Sequence, residues 1–155
     1  MTPSWFEFAH VLFAFAYGGA LFAAEWNIRF ARRTQDWNER AAHFAVVKTT
    51  TQVVAVPSLL VLAFFGNALA IVGGRSFAKD PWLHAANGLW ALKLFVLLAV
   101  ARPAAARLEK IARAAGADAH AADWSRALAR ARFANVALSV LLLVALWWMT
   151  VGYHA

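Results

Sequence analysis

Four stretches of this chain are each about as long as a lipid bilayer is thick, and each is almost free of charge. They run from about Trp5 to Ile28, Val46 to Val72, Trp82 to Ala101 and Phe133 to Val151. A helix needs roughly 20 mostly apolar residues to cross the hydrocarbon core. In lipid, only a helix or a closed barrel satisfies every backbone N–H and C=O. Of the 155 residues, 63% are apolar and 15% charged, whereas a water-soluble domain usually has about 45–50% and about 25%. The sequence therefore predicts an all-α protein, a transmembrane four-helix bundle forming a single integral-membrane domain over residues 1–155. Short links between sequential spans make neighbours antiparallel. No basic segment precedes Trp5, and the first span runs into Arg29, Arg32 and Arg33 rather than a small-residue cleavage site. It reads as a retained span and not a signal peptide.

The connectors set the orientation. Arg29, Arg32, Arg33, Arg40 and Lys48 lie between spans one and two. Arg102, Arg107, Lys110, Arg113, Arg126, Arg130 and Arg132 lie between spans three and four. Twelve of the fifteen Lys and Arg residues thus fall on one side, against Arg75 and Lys79 on the other, with Lys93 inside a span. The positive-inside rule predicts both termini outside and the basic connectors in the cytoplasm. That asymmetry accounts for the net charge of +7 through topology and contact with anionic lipid, with no nucleic-acid partner. Trp5, Trp82, Trp147, Trp148 and Tyr153 fall at outer span ends, and Trp26, Trp37 and Trp124 at inner ends, as interfacial anchors do.

The connectors also carry structure. "ERAAHFAVVK" and "AAARLEKIARAAG" are rich in helix formers, so the helices should project past the membrane by two or three turns before a break at Gly116. In "GGRSFAKDPW" the glycines end span two and Asp80-Pro81 starts span three. Pro57 predicts a kink in span two, and "TTTQ" at 49–52 predicts hydrogen bonds between helices. Ala16, Ala20 and Ala24, with Gly19 and Ala23 alongside, form a small-residue stripe suited to close helix contact. Glu25 and Arg29 stand at ion-pair spacing.

Ionisable groups inside a span are candidates for function. His10 lies five residues into span one and His84 two residues into span three. Both spans start outside, so the two imidazoles occupy one outer layer on different helices, an arrangement that could ligate one metal or one haem iron. His43, His120 and His154 read as solvated or too exposed. Lys93 lies eleven residues past Trp82, roughly 16 Å down a helix axis and near the middle of a core about 30 Å thick. No Asp or Glu matches its depth. Asn67, Asn135 and Ser139 are its candidate neutral partners, and a ligand carboxylate or a partner subunit is the alternative. At 100° per residue, His84 and Lys93 point to opposite faces. Asn87 and Gly88 go with His84, and Ala86, Trp90 and Leu97 with Lys93, which predicts protein on both faces of span three. Without cysteine, disulfides, thiolate metal sites and thiol catalysis are excluded. No phosphate loop, serine-nucleophile motif or paired buried carboxylate is present.

"FEFAHVLFAFAYGGALF" in span one and "WLHAANGLWALKLFVLL" in span three, with the Arg-rich inner connector and apolar last helix, resemble a group of small four-helix bacterial inner-membrane proteins. The group includes the haem-binding protoporphyrinogen oxidase of the four-helix type and the copper-resistance D membrane domain. The resemblance implies His10 as a haem ligand and Lys93 as the functional lysine. The lysine follows the Trp-Leu-His start later here than in the oxidase, and "KLFVLLAVARP" resembles the copper-resistance pattern better. With only Met1 and Met149 and no cysteine, no sulfur ligand set for copper is present. The expected function is a membrane b-haem or redox-linked protein, an accessory subunit of a larger electron-transfer complex, with haem b held by His10, His84 and Lys93. The alternatives are a non-catalytic structural subunit packing against partner helices, and a protoporphyrinogen oxidase-like enzyme. The expected partners are the lipid bilayer and either a membrane-protein partner or a second copy of the chain.

Overall fold

The computed structural model describes residues 4–76, 78–114 and 121–151, all of them in helices or the links between them. Four long helices make up the chain: α1 (Ser4–Arg33), α2 (Trp37–Val72), α3 (Pro81–Ala114) and α4 (Ala121–Val151). Each is long and apolar enough to cross a membrane, and the protein is a multi-pass, all-α membrane protein. Below, the outer end of the bundle is the one carrying the α2–α3 loop, and the inner end the one carrying the arginines.

The helices outrun the spans, as the helix-favouring connectors predict. α2 has 36 residues and α3 has 34, about 50 Å each at 1.5 Å per residue. Three residues, 34–36, join α1 to α2 at the inner end. There Asp36 caps α2 by accepting from the Asn38 amide at 2.8 Å, and Thr34 donates to the Glu39 carboxylate. At the outer end α2 closes in a Schellman motif. The Arg75 amide bonds the Ala70 carbonyl at 2.9 Å and the Gly74 amide the Ile71 carbonyl at 3.0 Å. Gly74 takes φ 80°, a left-handed conformation that favours glycine. Asp80 then caps α3 through the Trp82 amide at 3.0 Å. Both loop expectations hold; the Gly116 break lies outside the described residues.

Both long helices contain one wide turn. Residues Thr51–Ala55 of α2 and Leu97–Ala101 of α3 are π-helical, and in each case a proline follows two residues on, Pro57 and Pro103. A proline inside a helix lacks an N–H, and its ring clashes with the carbonyl four residues back. Those carbonyls belong to Val53 and Ala99, inside the wide turns, where the looser winding makes room. The sequence marked Pro57; the second case, at Pro103, follows the same steric logic.

The wide turns divide the bundle. Inward of them, Ala24, Ile28, Ala31, Phe44, Val47, Ala104, Ala105, Leu108, Ala127 and Ala131 form one buried cluster. From the turns outward, Tyr17, Ala20, Leu21, Ala55, Leu59, Leu97 and Leu138 form a second. Ala20 and Ala24 of the small-residue stripe are buried between helices, while Gly19 faces open space. The Phe8, Phe15 and Phe22 stripe of α1 is exposed, Phe15 by 76%, as suits a lipid-facing surface.

Candidate functional site

His10 of α1 is fixed against α2. Its Nδ1 lies 3.2 Å from the Leu62 carbonyl oxygen. A carbonyl only accepts, so Nδ1 carries the proton and donates, and the Nε2 lone pair is left available. α2 comes this near because position 66 is glycine: a Cβ there would stand 3.0 Å from His10 Cε1.

Beside His10, the outer halves of all four helices surround a cavity of about 400 Å³. Most of its wall is apolar, with Leu59, Leu62, Leu69, Leu89 and Trp90 among the lining residues. Four polar side chains interrupt it below the rim: His10, Asn67, Asn87 and Lys93. Asn67 and Asn87 form a reciprocal amide pair across α2 and α3, each Nδ2 donating to the other's Oδ1 at 3.0 Å. Each also donates to the carbonyl one turn back, Ala63 and Leu83 respectively, at 2.9 Å. The Trp90 indole donates to the Leu59 carbonyl at 2.8 Å. These bonds use the side-chain donors of Asn67, Asn87 and Trp90.

Lys93 is different. It is 8% exposed, lines the cavity and makes no hydrogen bond or ion pair among the described residues. Tyr17, 0% exposed, packs in the outer cluster with Leu59 and against Trp90, two residues that also line the cavity. Among the described residues its hydroxyl has no partner, and neither has the indole N–H of Trp148, another lining residue. Buried polar groups are rarely left unmatched, so two in the cavity wall, with Tyr17 in the cluster that shares Leu59 with it, single out this part of the bundle.

The outer rim is closed electrostatically. Arg75 donates to Asp80 at 2.8 Å, and its guanidinium sits over the Trp82 ring, 4.8 Å from the centroid. The hydrogen bond from Arg75 holds the Asp80 carboxyl below its usual range. Glu7 also lines the cavity at this outer level.

The structure brings together His10 and Lys93 and leaves His84 apart. His84 is exposed on the other side of α3, in company with Gly88, Leu92 and Phe95. The expected divergence of His84 and Lys93 holds. Asn87 corrects the face assignment, because it turns to the cavity and to Asn67. Among the described residues, α3 packs on one side and not on both. The three neutral partners expected for Lys93 are engaged elsewhere: Asn67 with Asn87, Asn135 with Glu25 at 3.1 Å, and Ser139 with the Asn135 carbonyl at 2.9 Å. Glu25 also accepts from Arg29 at 2.8 Å, as its spacing predicts. His43 is not simply solvated. Its Nδ1 contacts Asn27 Oδ1 at 2.9 Å, and its ring stacks on Phe30. His120, Tyr153 and His154 lie outside the described residues. Among the described residues, no three His, Cys, Asp or Glu side chains cluster as a metal site.

Sequence reasoning missed Gly66 and the asparagine pair. The pair had a legible signal: Asn67 stands five residues before the end of α2, and Asn87 six residues after the start of α3, so a tight loop sets them level. Gly66 had none, because its role depends on how closely α1 and α2 approach.

No curated protein and no solved structure matches the chain. Its sequence does match one family over residues 5–152, nearly its whole length. That agrees with the structure, in which four helices are able to cross a membrane. The chain belongs to the DUF2269 family, described as a predicted integral membrane protein.

Proposed function

We propose that this protein is a b-haem or redox-linked protein of the bacterial inner membrane, and that His10 would hold the cofactor in the outer cavity. The observation that carries the reading is the pose of His10. A ligating histidine commonly donates its second ring N–H to a carbonyl or carboxylate, which fixes the tautomer and turns the other nitrogen toward the metal. His10 has that arrangement, with the Leu62 carbonyl as acceptor and a cavity beside it. The cavity's roughly 400 Å³ falls in the common range of ligand pockets, about 300–1,000 Å³, and its apolar wall with a few convergent polar groups is typical of them. Lys93 is the second holding group, a cation facing a ligand whose edge carries carboxylates. His84, on the far side of α3, is left out of this site. A bound haem would supply one-electron chemistry. The chain's own part is to orient the ligand through His10 and keep bulk water out with Leu59, Leu62 and Trp90. The resemblance of the span-one and span-three motifs to the haem-binding oxidase group points the same way.

The test is a reduced-minus-oxidised spectrum of the protein purified in mild detergent from a haem-replete host. Soret and α bands are expected, and both should vanish in His10→Ala while His84→Ala keeps them. A protein without either band would sink the proposal.

A further inference from the structure

Two cations line the cavity, and they differ in what they already hold. Arg75, at the rim, is hydrogen-bonded to Asp80 at 2.8 Å and covers Trp82, and Glu7 adds a further acidic group at that level. Lys93, eleven residues along α3 from Trp82 and so about 16 Å deeper, has no counter-charge. The other side-chain donors of the wall are mostly used. Asn67 and Asn87 satisfy each other, Trp90 donates to Leu59 and His10 to Leu62. The buried hydroxyl of Tyr17, in the outer cluster with Leu59, has no partner among the described residues either. Lys93 therefore offers an unused donor deep in the cavity, while the rim already carries its own anions.

We infer that the ligand of this cavity is a carboxylate bound acid end down: the carboxylate meets Lys93 at the floor, and the apolar body extends toward the rim. The usual pose of an amphiphile, with its charge at the outer water, is disfavoured here by the Asp80 that occupies Arg75. The deep pose gives an unpaired ammonium its counter-charge where few waters screen it and where a lone charge is most costly. Leu59, Leu62 and Leu89 then cover apolar surface of the ligand. This orientation rests on the cavity being a ligand site. The carboxylate has two possible carriers, an edge of the haem or a separate long-chain acid.

The full chain in lipid nanodiscs separates the cases. Dodecanoate brominated at its chain end, and the methyl ester of the same acid, are titrated against the tryptophan emission of the cavity. In parallel, haem and its dimethyl ester are titrated by absorbance. The expected result is that the free acid of at least one pair binds about tenfold or more tighter than its ester, the strength of one charge-assisted contact. Lys93→Met should erase that preference, and Arg75→Met should leave it. A preference in the haem pair alone assigns the carboxylate to the cofactor, and one in the dodecanoate pair alone assigns it to a separate acid and removes haem. Equal binding of acid and ester in both pairs overturns the inference, even with His10-dependent haem bands intact. A preference lost in Arg75→Met but kept in Lys93→Met places the carboxylate at the rim and overturns it too. Thermal unfolding of each variant confirms that it is folded.

Discussion

The inner and outer halves of this bundle use the same four helices to opposite ends. Inward of the wide turns, alanines at positions 24, 31, 104, 105, 127 and 131 let the backbones close up around Phe44 and Leu108. The buried charge there is matched: Glu109 holds Lys48 at 2.6 Å and Arg113 at 2.9 Å, and Glu25 holds Arg29 and Asn135. Outward, Trp90, Trp148 and the asparagine pair stand between the helices, and a cavity remains with Lys93 unmatched in its wall. The difference teaches where each part of the sequence serves. Small side chains with matched charges make a closed rod. Bulky aromatics with unmatched donors keep a space open, at a cost in stability that a ligand can offset.

The contrast can be broken at its strongest point first. Phe44 is fully buried against Trp124, so Phe44→Ala should cost about 3–5 kcal/mol and collapse the inner half. Thermal unfolding in detergent reads this as the largest loss in the set. The outer half should answer in the reverse sense. Without ligand, Lys93→Met removes an unmatched buried cation and should raise stability by about 1–3 kcal/mol; a destabilised variant would mean that Lys93 has a partner within the bundle.

Two glycines sharpen the comparison within the outer half. Gly66→Ala places a Cβ 3.0 Å from His10 Cε1 and should cost about 1–3 kcal/mol as overpacking, with a shifted His10 ring signal in NMR. Gly88→Ala meets nothing within 4 Å and should be neutral or stabilising by about 0.4–1 kcal/mol. If the two behave alike, α1 and α2 are not in close approach at that level.

The smallest effect is at the rim. Asp80→Asn keeps an N-cap but loses the ion pair to Arg75. The Asp80 carboxyl is held below its usual range by that hydrogen bond, so the contribution of the pair is complete above the unfolded value of about 3.9. It declines as pH falls below that and is gone once pH passes the folded-state value. The stability difference between wild type and Asp80→Asn should therefore be flat above about pH 5 and shrink below about pH 4. A difference that grows with acid would contradict the clasp.

Much of the architecture was legible in the residues. Span count follows from apolar length, the helical connectors from their alanines, the α3 start from Asp80-Pro81, and the Glu25–Arg29 pair from spacing alone. The site was legible in part. Lys93 announced itself because a lysine at that depth has nowhere to hide. Its company did not, because counting depth from span ends set His10 and Lys93 about 9 Å apart in level. Helix ends that are not flush, together with the reach of both side chains, undo that count. The structure sets His84 outside the cavity that His10 lines, because equal depth says nothing about which way a side chain turns. Asn87 lies between the two faces of α3 by angle, and only its partner on α2 decides for the cavity.

The two wide turns have a mechanical consequence. α3 is one continuous rod from its cap at the cavity rim to Ala114, with a single compliant joint at Leu97–Ala101. Lys93 stands just outward of that joint, and Arg113 is twenty residues further along, about 30 Å away. α2 is built alike, with its joint at Thr51–Ala55. A change of pitch at either joint would turn the wall that holds Asn67, Asn87 and Lys93 relative to the arginine-bearing end, because each helix is otherwise unbroken between the two.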